Sequence, residues 1–340
     1  MSAIPLVVCD DSGMARKQLI RALPPEWPVS ITQAANGREG LKAIMDGLGQ
    51  VVLLDLTMPE MDGYQVLQML KAQAISAKVI VVSGDVQEEA VRRVKELGAL
   101  AFLQKPASPE LVRATLEDLG LLASVPPQAS EQAPPVPEIE RPDFKVGFRD
   151  AFREINNVAM GQAAALLAKA LGVFVQLPIP NVNIFEVGEL SMALADVDQG
   201  QRLSAVCQGY IGDGIAGEAL LIFHDSEIND IAGLLGIEKL NSELQEQELL
   251  MDLGSILIGA CLSGIAKQLD VRFSQGHPQM LGQHCAISDL MHVNKQRWKK
   301  TLGVEISYGL EGMRVHFDLL LLFTEDSVKR LTDKITHLMD

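Results

Sequence analysis

Short apolar runs separated by amphipathic stretches organise the first third of the chain. Five runs rich in β-branched residues are predicted strands: IPLVVCD, VSITQAA, VVLLD, KVIVVS and LAFLQ. The segments between them have the mixed apolar and polar character of surface helices. Because parallel strands need helical crossovers, this alternation predicts an α/β fold with a doubly wound, five-stranded parallel sheet.

A proline-rich stretch interrupts this pattern at residues 124–142. Its sequence, SVPPQASEQAPPVPEIERP, combines clustered prolines with Ser, Gln and Glu and has almost nothing that could form a core. We therefore predict a first domain at 1–123, a linker at 124–142 and a second domain at 143–340. A linker of this length would let the two domains move independently.

The second domain repeats itself at a fixed spacing. Glu154 corresponds to Asp252 (252 − 154 = 98), and Asn157 corresponds to Ser255 at the same offset. Each copy continues into a predicted hairpin, with turns near residues 212–214 and 311–312, and then into a helix. A duplication explains this pattern, so we predict an α/β domain with an internal pseudo-two-fold repeat.

Composition narrows the functional classes. A net charge of −15 disfavours binding to nucleic acid or to anionic lipid. The four cysteines lack paired spacing, which favours reduced thiols over disulfides or a zinc site. With no uninterrupted run of about 18 apolar residues and no signal peptide, we predict a cytoplasmic protein without a membrane span.

Polar side chains follow the predicted strands at the ends where ligands bind in such sheets. They are Asp10, Asp11, Asp55, Ser83 and Lys105. A single aspartate after a strand is usually a helix cap. Three converging carboxylates, however, need a cation, and Mg²⁺ suits phosphate chemistry. Asp55 could then attack a phosphoryl donor, with Lys105 and Ser83 binding the phosphoryl oxygens.

Residues 4–121 resemble a response-regulator receiver domain of the CheY type. The resemblance rests on VVCDDS, LLDLTMPEMDGY, VVSGD and FLQKPAS. It implies phosphorylation of Asp55 by a histidine kinase, and it implies that Ser83 and Phe102 are switch residues and that Lys105 binds the phosphoryl group. The implied Mg²⁺ ligands are Asp10, Asp11, Asp55 and the backbone carbonyl of Thr57.

Glu154 and Asn157 stand three residues apart in FREINNVAMGQAAALLAKAL, a predicted helix. Residues at this spacing lie on the same side of a helix, and Gly161 removes bulk one turn further along. An asparagine amide can hold a water by donating and accepting hydrogen bonds, while a glutamate can pair with a lysine. Taken alone, the E-x-x-N pattern is also typical of a solvated helix face.

Residues 144–340 resemble the CheC, CheX and FliY family of phosphatases that act on phosphorylated CheY. The resemblance rests on REINNVAMGQAAALLA, MDLGSILIGACLSGIA and GYIGDGIAGEALLIF. It implies that Asn157 orients the hydrolytic water at the acyl phosphate of a partner receiver and that Glu154 contacts that partner's conserved lysine. Asp252 and Ser255 depart from the pattern, which predicts a weak second site. The alternative is that this helix only packs against its symmetry mate, through small residues at positions Gly254, Gly259, Ala260 and Gly264.

These features predict a chemotaxis or flagellar response regulator that hydrolyses aspartyl phosphate on a separate CheY-like receiver. One alternative is that the chain dephosphorylates itself, because the tether raises the local concentration of its two domains. Another is a non-catalytic module that binds a receiver, a CheD-like deamidase or the flagellar switch. A homodimer is a further expectation, and a DNA-binding output is disfavoured by the acidic charge.

Overall fold

The computed structural model describes residues 3–122, 147–186, 202–286 and 300–339. The chain forms two compact units, Met1–Glu154 and Ile155–Asp340. The predicted linker, residues 124–142, lies outside the described residues, and the division into domains at 123 and 143 stays a prediction.

The first unit is built on a five-stranded sheet in the order β2-β1-β3-β4-β5, with every neighbouring pair parallel. The strands are β1 Ile4–Cys9, β2 Val29–Ala34, β3 Val51–Leu54, β4 Lys78–Ser83 and β5 Ala101–Gln104. The helices that connect or follow them are α1 Gly13–Ala22, α2 Gly37–Met45, α3 Gly63–Ala72, α4 Glu88–Glu96 and α5 Pro109–Asp118. The predicted doubly wound parallel sheet is confirmed.

Alternate residues of the central strands face two separate cores, one on each side of the sheet. On β1, Val7 belongs to one apolar cluster and Val8 to the other, and on β3 Val52 and Leu53 divide in the same way. All four side chains are at most 1% exposed. Burial on both faces explains why the strands read as continuous apolar runs rather than as alternating ones.

Helix α3 begins unusually close to the end of β3. A Cβ atom at Gly63 would lie 2.2 Å from the carbonyl oxygen of Asp55, so only glycine fits at this position. Asp62 caps the helix, and its side chain forms a capping box with Gln65. The chain segment between Asp55 and Gly63 is therefore held tightly at the carboxyl end of the sheet.

Helix α6, Phe148–Leu171, begins in the first unit, and the remainder of the second unit is built on an eight-stranded sheet. The strands are β6 Val175–Gln176, β7 Asn181–Glu186, β8 Leu203–Gly212, β9 Ile215–His224, β10 Ser274–Gln275, β11 Gln279–Cys285, β12 Lys300–Leu310 and β13 His316–Phe323. The further helices are α7 Ile228–Leu234, α8 Glu243–Leu269 and α9 Glu325–Met339. The sheet order is β10-β8-β9-β13-β12-β6, with β11 also pairing β8 and β7 also pairing β12.

Strand register reveals the two-fold symmetry of this sheet. Val182 of the first copy pairs with Val304 of the second. Their equivalents, Met280 (182 + 98) and Val206 (304 − 98), also pair with each other. At the centre, Leu221 pairs with Leu319 (319 − 221 = 98), so the pseudo-two-fold axis passes between these two residues. Each copy therefore places its short strands beside the long hairpin of the other copy.

The packing of α8 was only partly predicted. At Gly264 an added Cβ would lie 2.8 Å from the Cα of Ala159, so α6 and α8 cross closely there, as expected. Near this crossing, the side-chain amide of Gln268 donates to the carbonyl of Ile155 at 2.7 Å. The prediction was wrong for Gly254, which faces Val206 of β8 rather than the other helix.

Among the described residues, α8 is the one helix long and apolar enough, by length and composition, to cross a membrane. Of its most apolar 18-residue window, 56% is buried inside the fold. The core helix of a water-soluble domain passes the same test. The sequence analysis predicted no membrane span because the chain contains no uninterrupted run of about 18 apolar residues.

Candidate functional site

Three aspartates meet at the carboxyl end of the parallel sheet. Asp10 follows β1 and Asp55 follows β3, and these strands are neighbours with Cys9 paired to Leu54. One carboxylate oxygen from each of Asp10, Asp11 and Asp55 lies within 4.8 Å of the others. Asp10 and Asp55 are almost fully buried, and Asp11 is somewhat less so, with its side chain 8% exposed. We call these three residues the acidic cluster.

Lys105 lies against the acidic cluster. Its Nζ atom is 2.7 Å from Oδ2 of Asp10 and 3.2 Å from Oδ1 of Asp55. These are ion-pair distances, but neither buried oxygen makes a hydrogen bond of suitable geometry. The second oxygen of Asp55 accepts a hydrogen bond from the backbone N–H of Thr57 at 3.1 Å. Hard carboxylate oxygens with unused lone pairs are the donors that Mg²⁺ prefers, so the cluster fits a divalent cation.

Burial and mutual repulsion perturb the acids of this pocket. Burial raises the pKa of Asp55 well above its usual value, an effect that Lys105 opposes and Asp10 reinforces. Burial and the charge of Asp10 raise the pKa of Asp11 to about 6. Burial alone would lower the pKa of Lys105, but the surrounding carboxylates raise it well above its usual value. Additional positive charge would therefore stabilise the ionised carboxylates.

The two predicted switch residues lie on neighbouring strands at this end of the sheet. Ser83 is the last residue of β4 and is 1% exposed, and its hydroxyl accepts a hydrogen bond from the backbone N–H of Asp85 at 3.2 Å. Phe102 on β5 pairs in register with Val81 and is partly buried against the core cluster on one face of the sheet. Ser83 therefore lies at the same end of the sheet as the acidic cluster, while the partly buried Phe102 packs against the core.

The first turns of α6 belong to the same compact unit as the acidic cluster, Met1–Glu154. Oε1 of Glu154 lies 3.1 Å from Nζ of Lys105, the lysine that also contacts Asp55. Glu154 is 4% exposed, and burial raises its pKa to about 7 against the opposing charge of Lys105. Glu154 is therefore paired with Lys105 of its own chain, whereas the resemblance implied a pairing with the lysine of a partner receiver.

Two further residues of α6 contact this end of the sheet, and sequence reasoning missed both. Asp150 accepts hydrogen bonds from the backbone N–H groups of Gly13 at 3.2 Å and of Met14 at 3.0 Å. The guanidinium of Arg153 lies 3.1 Å from Oδ2 of Asp11. Asp150 lies three residues before Arg153 and four before Glu154, a spacing that puts Asp150 on the same helical face as each of them and is the one sequence signal that could have indicated their joint role.

The remaining predicted residues differ in exposure between the two copies of the repeat. Asn157 is 7% exposed. In the second copy Asp252 is exposed and Ser255 is partly buried. Asp252 borders a half-open cavity of about 580 Å³ that is lined largely by apolar side chains, including Ile237 and Ile256. Both candidate side chains of the first copy are thus buried, whereas in the second copy Asp252 is exposed and Ser255 is partly so.

Comparison with known proteins identifies the first unit. Residues 6–117 match the family model described as "Response regulator receiver domain". Over 108 residues the chain is 41% identical to protein-glutamate methylesterase/protein-glutamine glutaminase 3 of Geobacter sulfurreducens, a match that covers 31% of this chain and 29% of the relative. The chain thus spans about a third of the length of the methylesterase relatives it matches.

A smaller relative is covered almost completely. The chain is 32% identical over 114 residues to the chemotaxis protein CheY of Listeria monocytogenes, which covers 34% of this chain and 96% of that protein. Among solved structures, FliY of Thermotoga maritima aligns with 56% of this chain and 96% of its own, at 18% identity and a TM-score of 0.44. The receiver match and the near-complete coverage of a CheY show that this chain belongs to the response-regulator family, with a CheY-like receiver domain in its first unit.

Proposed function

We propose that this response regulator accepts a phosphoryl group on Asp55 and that Glu154 and Asn157 of α6 hasten its hydrolysis. One observation carries the proposal. The Nζ atom of Lys105 lies 3.2 Å from Oδ1 of Asp55 and 3.1 Å from Oε1 of Glu154. A lysine next to the acceptor is suited to bind a phosphoryl oxygen, and a glutamate that holds that lysine brings α6 to the reacting bond.

The pocket provides for phosphoryl transfer to Asp55. The donor set of Asp10, Asp11 and Asp55 fits Mg²⁺, with the carbonyl of Thr57 as a proposed further ligand, and the bound ion would offset charge on the phosphoryl oxygens. The Asp55 carboxylate attacks phosphorus of a phosphoryl donor, and the bond to the donor breaks to leave an acyl phosphate. Lys105 and the Ser83 hydroxyl bind its oxygens.

Hydrolysis needs an aligned water more than covalent help from the protein. Asn157 follows Glu154 by three positions on the same helix, and its amide can both donate to and accept from a water. The water oxygen attacks phosphorus, the bond from phosphorus to the Asp55 oxygen breaks, and inorganic phosphate leaves. The products are the free carboxylate of Asp55 and phosphate.

The contact within the unit Met1–Glu154 favours the receiver of the same chain as the substrate. Glu154 already holds Lys105 of its own chain, so no second receiver is needed to make this pair. Action on a separate CheY-like receiver, which the sequence favoured, is the alternative. The two alternatives predict different dependences of the hydrolysis rate on protein concentration. Within one chain, the tether supplies an effective concentration of roughly 1 mM, so the rate constant does not change with the protein concentration in solution.

The remaining partners are proposals drawn from the sequence. A receiver takes its phosphoryl group from a histidine kinase, and a cytoplasmic setting fits such a partner. Binding to a CheD-like deamidase, a homodimer, and the division into domains at 1–123 and 143–340 are further predictions. If binding were the whole role, removing both side chains of Glu154 and Asn157 would leave function intact.

The phosphorylation site is tested first. Asp55→Asn should abolish labelling of the intact chain by acetyl phosphate, because an amide is a poor nucleophile. Asp46→Asn, a matched change at an exposed position on the same unit, should label normally. Undiminished labelling of Asp55→Asn would refute the acceptor assignment.

Own-chain hydrolysis is tested by mixing two full-length variants. The first carries Glu154→Gln and Asn157→Ala and is phosphorylated on Asp55. The second carries Asp55→Asn and keeps Glu154 and Asn157. If hydrolysis occurs within one chain, adding the second variant at micromolar concentration should not hasten phosphate release from the first. Rapid release in the mixture would instead favour action on a separate receiver.

A further inference from the structure

Arg153 places a permanent positive charge beside the candidate metal site. Its guanidinium lies 3.1 Å from Oδ2 of Asp11, one of the three carboxylates of the acidic cluster. Arginine has donors and no acceptor, so it cannot serve as a ligand for a cation. A carboxylate that would bind a metal ion is thus paired with a group that repels one.

The position of Arg153 is fixed by a second carboxylate. Oδ1 of Asp150 lies 3.4 Å from the Arg153 guanidinium and also accepts the Gly13 N–H. Oδ2 of Asp150 accepts the Met14 N–H, so this carboxylate occupies the N-terminus of α1, where unpaired N–H groups and the helix dipole favour an anion. Arg153 is therefore bridged between Asp150 and Asp11 rather than extended into solvent.

Burial makes this pair stronger than an ordinary surface ion pair. The Asp11 side chain is 8% exposed and the Arg153 side chain 33% exposed, so salt and water screen their attraction incompletely. Lys105 already contacts Asp10 and Asp55. Between them, the two cations contact all three carboxylates that a divalent ion would use.

We propose that Arg153 competes with a divalent cation for Asp11 and thereby sets the metal affinity of the acidic cluster. Metal loading and the Arg153–Asp11 pair then weaken one another by the same factor, as thermodynamic linkage requires. The inference rests on the proposed metal site but not on hydrolysis by Glu154. It names Arg153 as a determinant of when the pocket becomes competent for metal-dependent phosphorylation.

The test is the affinity of the full-length chain for Mg²⁺, measured by calorimetric titration without any phosphodonor. Arg153→Gln should bind Mg²⁺ roughly five- to tenfold more tightly than the unsubstituted chain, the lower part of the usual range for coupled sites. Arg153→Lys, which keeps the charge, should stay close to the unsubstituted chain. Arg149→Gln is the matched control, because Arg149 is an exposed arginine on the same helix, and it should change affinity by less than about twofold.

Two results would overturn the proposal. One is that Arg153→Gln binds Mg²⁺ no more tightly than Arg149→Gln does, when melting temperatures show that both variants are folded. The other is unchanged Mg²⁺ binding in Asp11→Asn, which would place the cation elsewhere. The Mg²⁺ titration does not depend on whether Glu154 takes part in hydrolysis. Failure of this inference and failure of the proposed hydrolysis are therefore distinguishable.

Discussion

Helices α6 and α8 are equivalent elements of a duplicated fold, yet they present different side chains in different surroundings. On α6, Glu154 is 4% exposed and Asn157 is 7% exposed. At the matching positions of α8, Asp252 is exposed and Ser255 is partly buried. The residues that follow the acids, Ile155 and Leu253, are buried in both copies. The two helices are therefore packed into the core through equivalent apolar residues. The neighbouring polar positions are not constrained by this packing, so their side chains can differ in chemistry.

The difference between α6 and α8 lies in the side chains that a reaction would need, and not in the buried residues that the fold needs. Both helices keep the three-residue spacing, so geometry alone does not select one of them as a hydrolytic element. The acid of α8 is one methylene shorter, and its hydroxyl has one donor where an amide has two. The proposal of hydrolysis therefore concerns α6, and we propose a mainly structural role for α8.

The largest expected effect comes from removing the pair on α6. Glu154→Gln with Asn157→Ala should slow phosphate release from Asp55 by about 100-fold or more, the usual cost of losing groups that position a nucleophile and balance charge. The matched change on α8, Asp252→Asn with Ser255→Ala, should alter the rate by less than about twofold. The rates are measured by timed phosphate release from the labelled intact chain. Equal losses in the two variants would remove the proposed distinction between the helices.

The crossing that relates the two copies predicts a stability effect. Gly264→Ala places a Cβ 2.8 Å from the backbone of Ala159, and such overpacking should lower the free energy of unfolding by about 1–3 kcal/mol. Gly233→Ala on α7 is the control, because a Cβ there meets nothing within 4 Å and alanine favours a helix by about 1 kcal/mol. Urea denaturation of the intact chain compares the two. A destabilised Gly233→Ala with a neutral Gly264→Ala would contradict the close crossing.

A gain of function on α8 should be smaller. In a chain carrying Glu154→Gln and Asn157→Ala, the further changes Asp252→Glu and Ser255→Asn should raise hydrolysis of a separate phosphorylated CheY-type receiver by about tenfold. The expectation follows from the exposure of Asp252, which leaves this helix accessible to a second protein. No gain would mean that α8 lacks more than the two side chains.

The smallest effect concerns a polar cluster in the second copy. His284, whose counterpart in the first copy is Glu186, has Nδ1 2.8 Å from Asp225 and Nε2 3.5 Å from Glu246. The hydrogen bond to Asp225 raises the pKa of His284, and the charges of Asp225, Glu246 and Glu243 add to this.

Since the folded-state pKa lies above the unfolded one, the stabilisation is complete below the usual histidine pKa and is lost as the pH rises through the raised value. The histidine is 39% exposed, so solvent screening limits the effect to less than about 1 kcal/mol. His284→Gln should remove this dependence in unfolding measurements at pH 5.5 and pH 8. A pH dependence identical to that of the unsubstituted chain would rule out the ion pair as its source.

Local pattern was enough to predict most of the fold. The strand from Val51 to Leu54 has only apolar residues, and its burial on both faces is what a central parallel strand requires. The hairpin between β8 and β9 was predicted from glycines near its turn, where Asp213 and Gly214 both adopt positive φ. The 98-residue offset predicted symmetry but not the exchange of short strands between copies, since the offset contains no information on which hairpin each strand joins.

The candidate site was predictable where residue types are unusual and not where they are ordinary. Three aspartates at strand ends suggested one pocket, and the structure brings them within 4.8 Å. Asp150 and Arg153 look like ordinary solvated residues near the start of a helix, and their spacing shows a shared face but not the contacts with Met14 and Asp11, which depend on tertiary packing. The sequence also left open whose lysine Glu154 would contact, because a side-chain type does not identify its partner.

The most direct test of own-chain hydrolysis is the rate of phosphate loss from Asp55 across a hundredfold dilution of the labelled intact chain. Hydrolysis within one chain is first order, so we expect the rate constant to be unchanged by dilution and to fall about 100-fold in the chain carrying Glu154→Gln and Asn157→Ala. A rate constant that falls in proportion to dilution, or one that the double substitution leaves unchanged, would contradict the account.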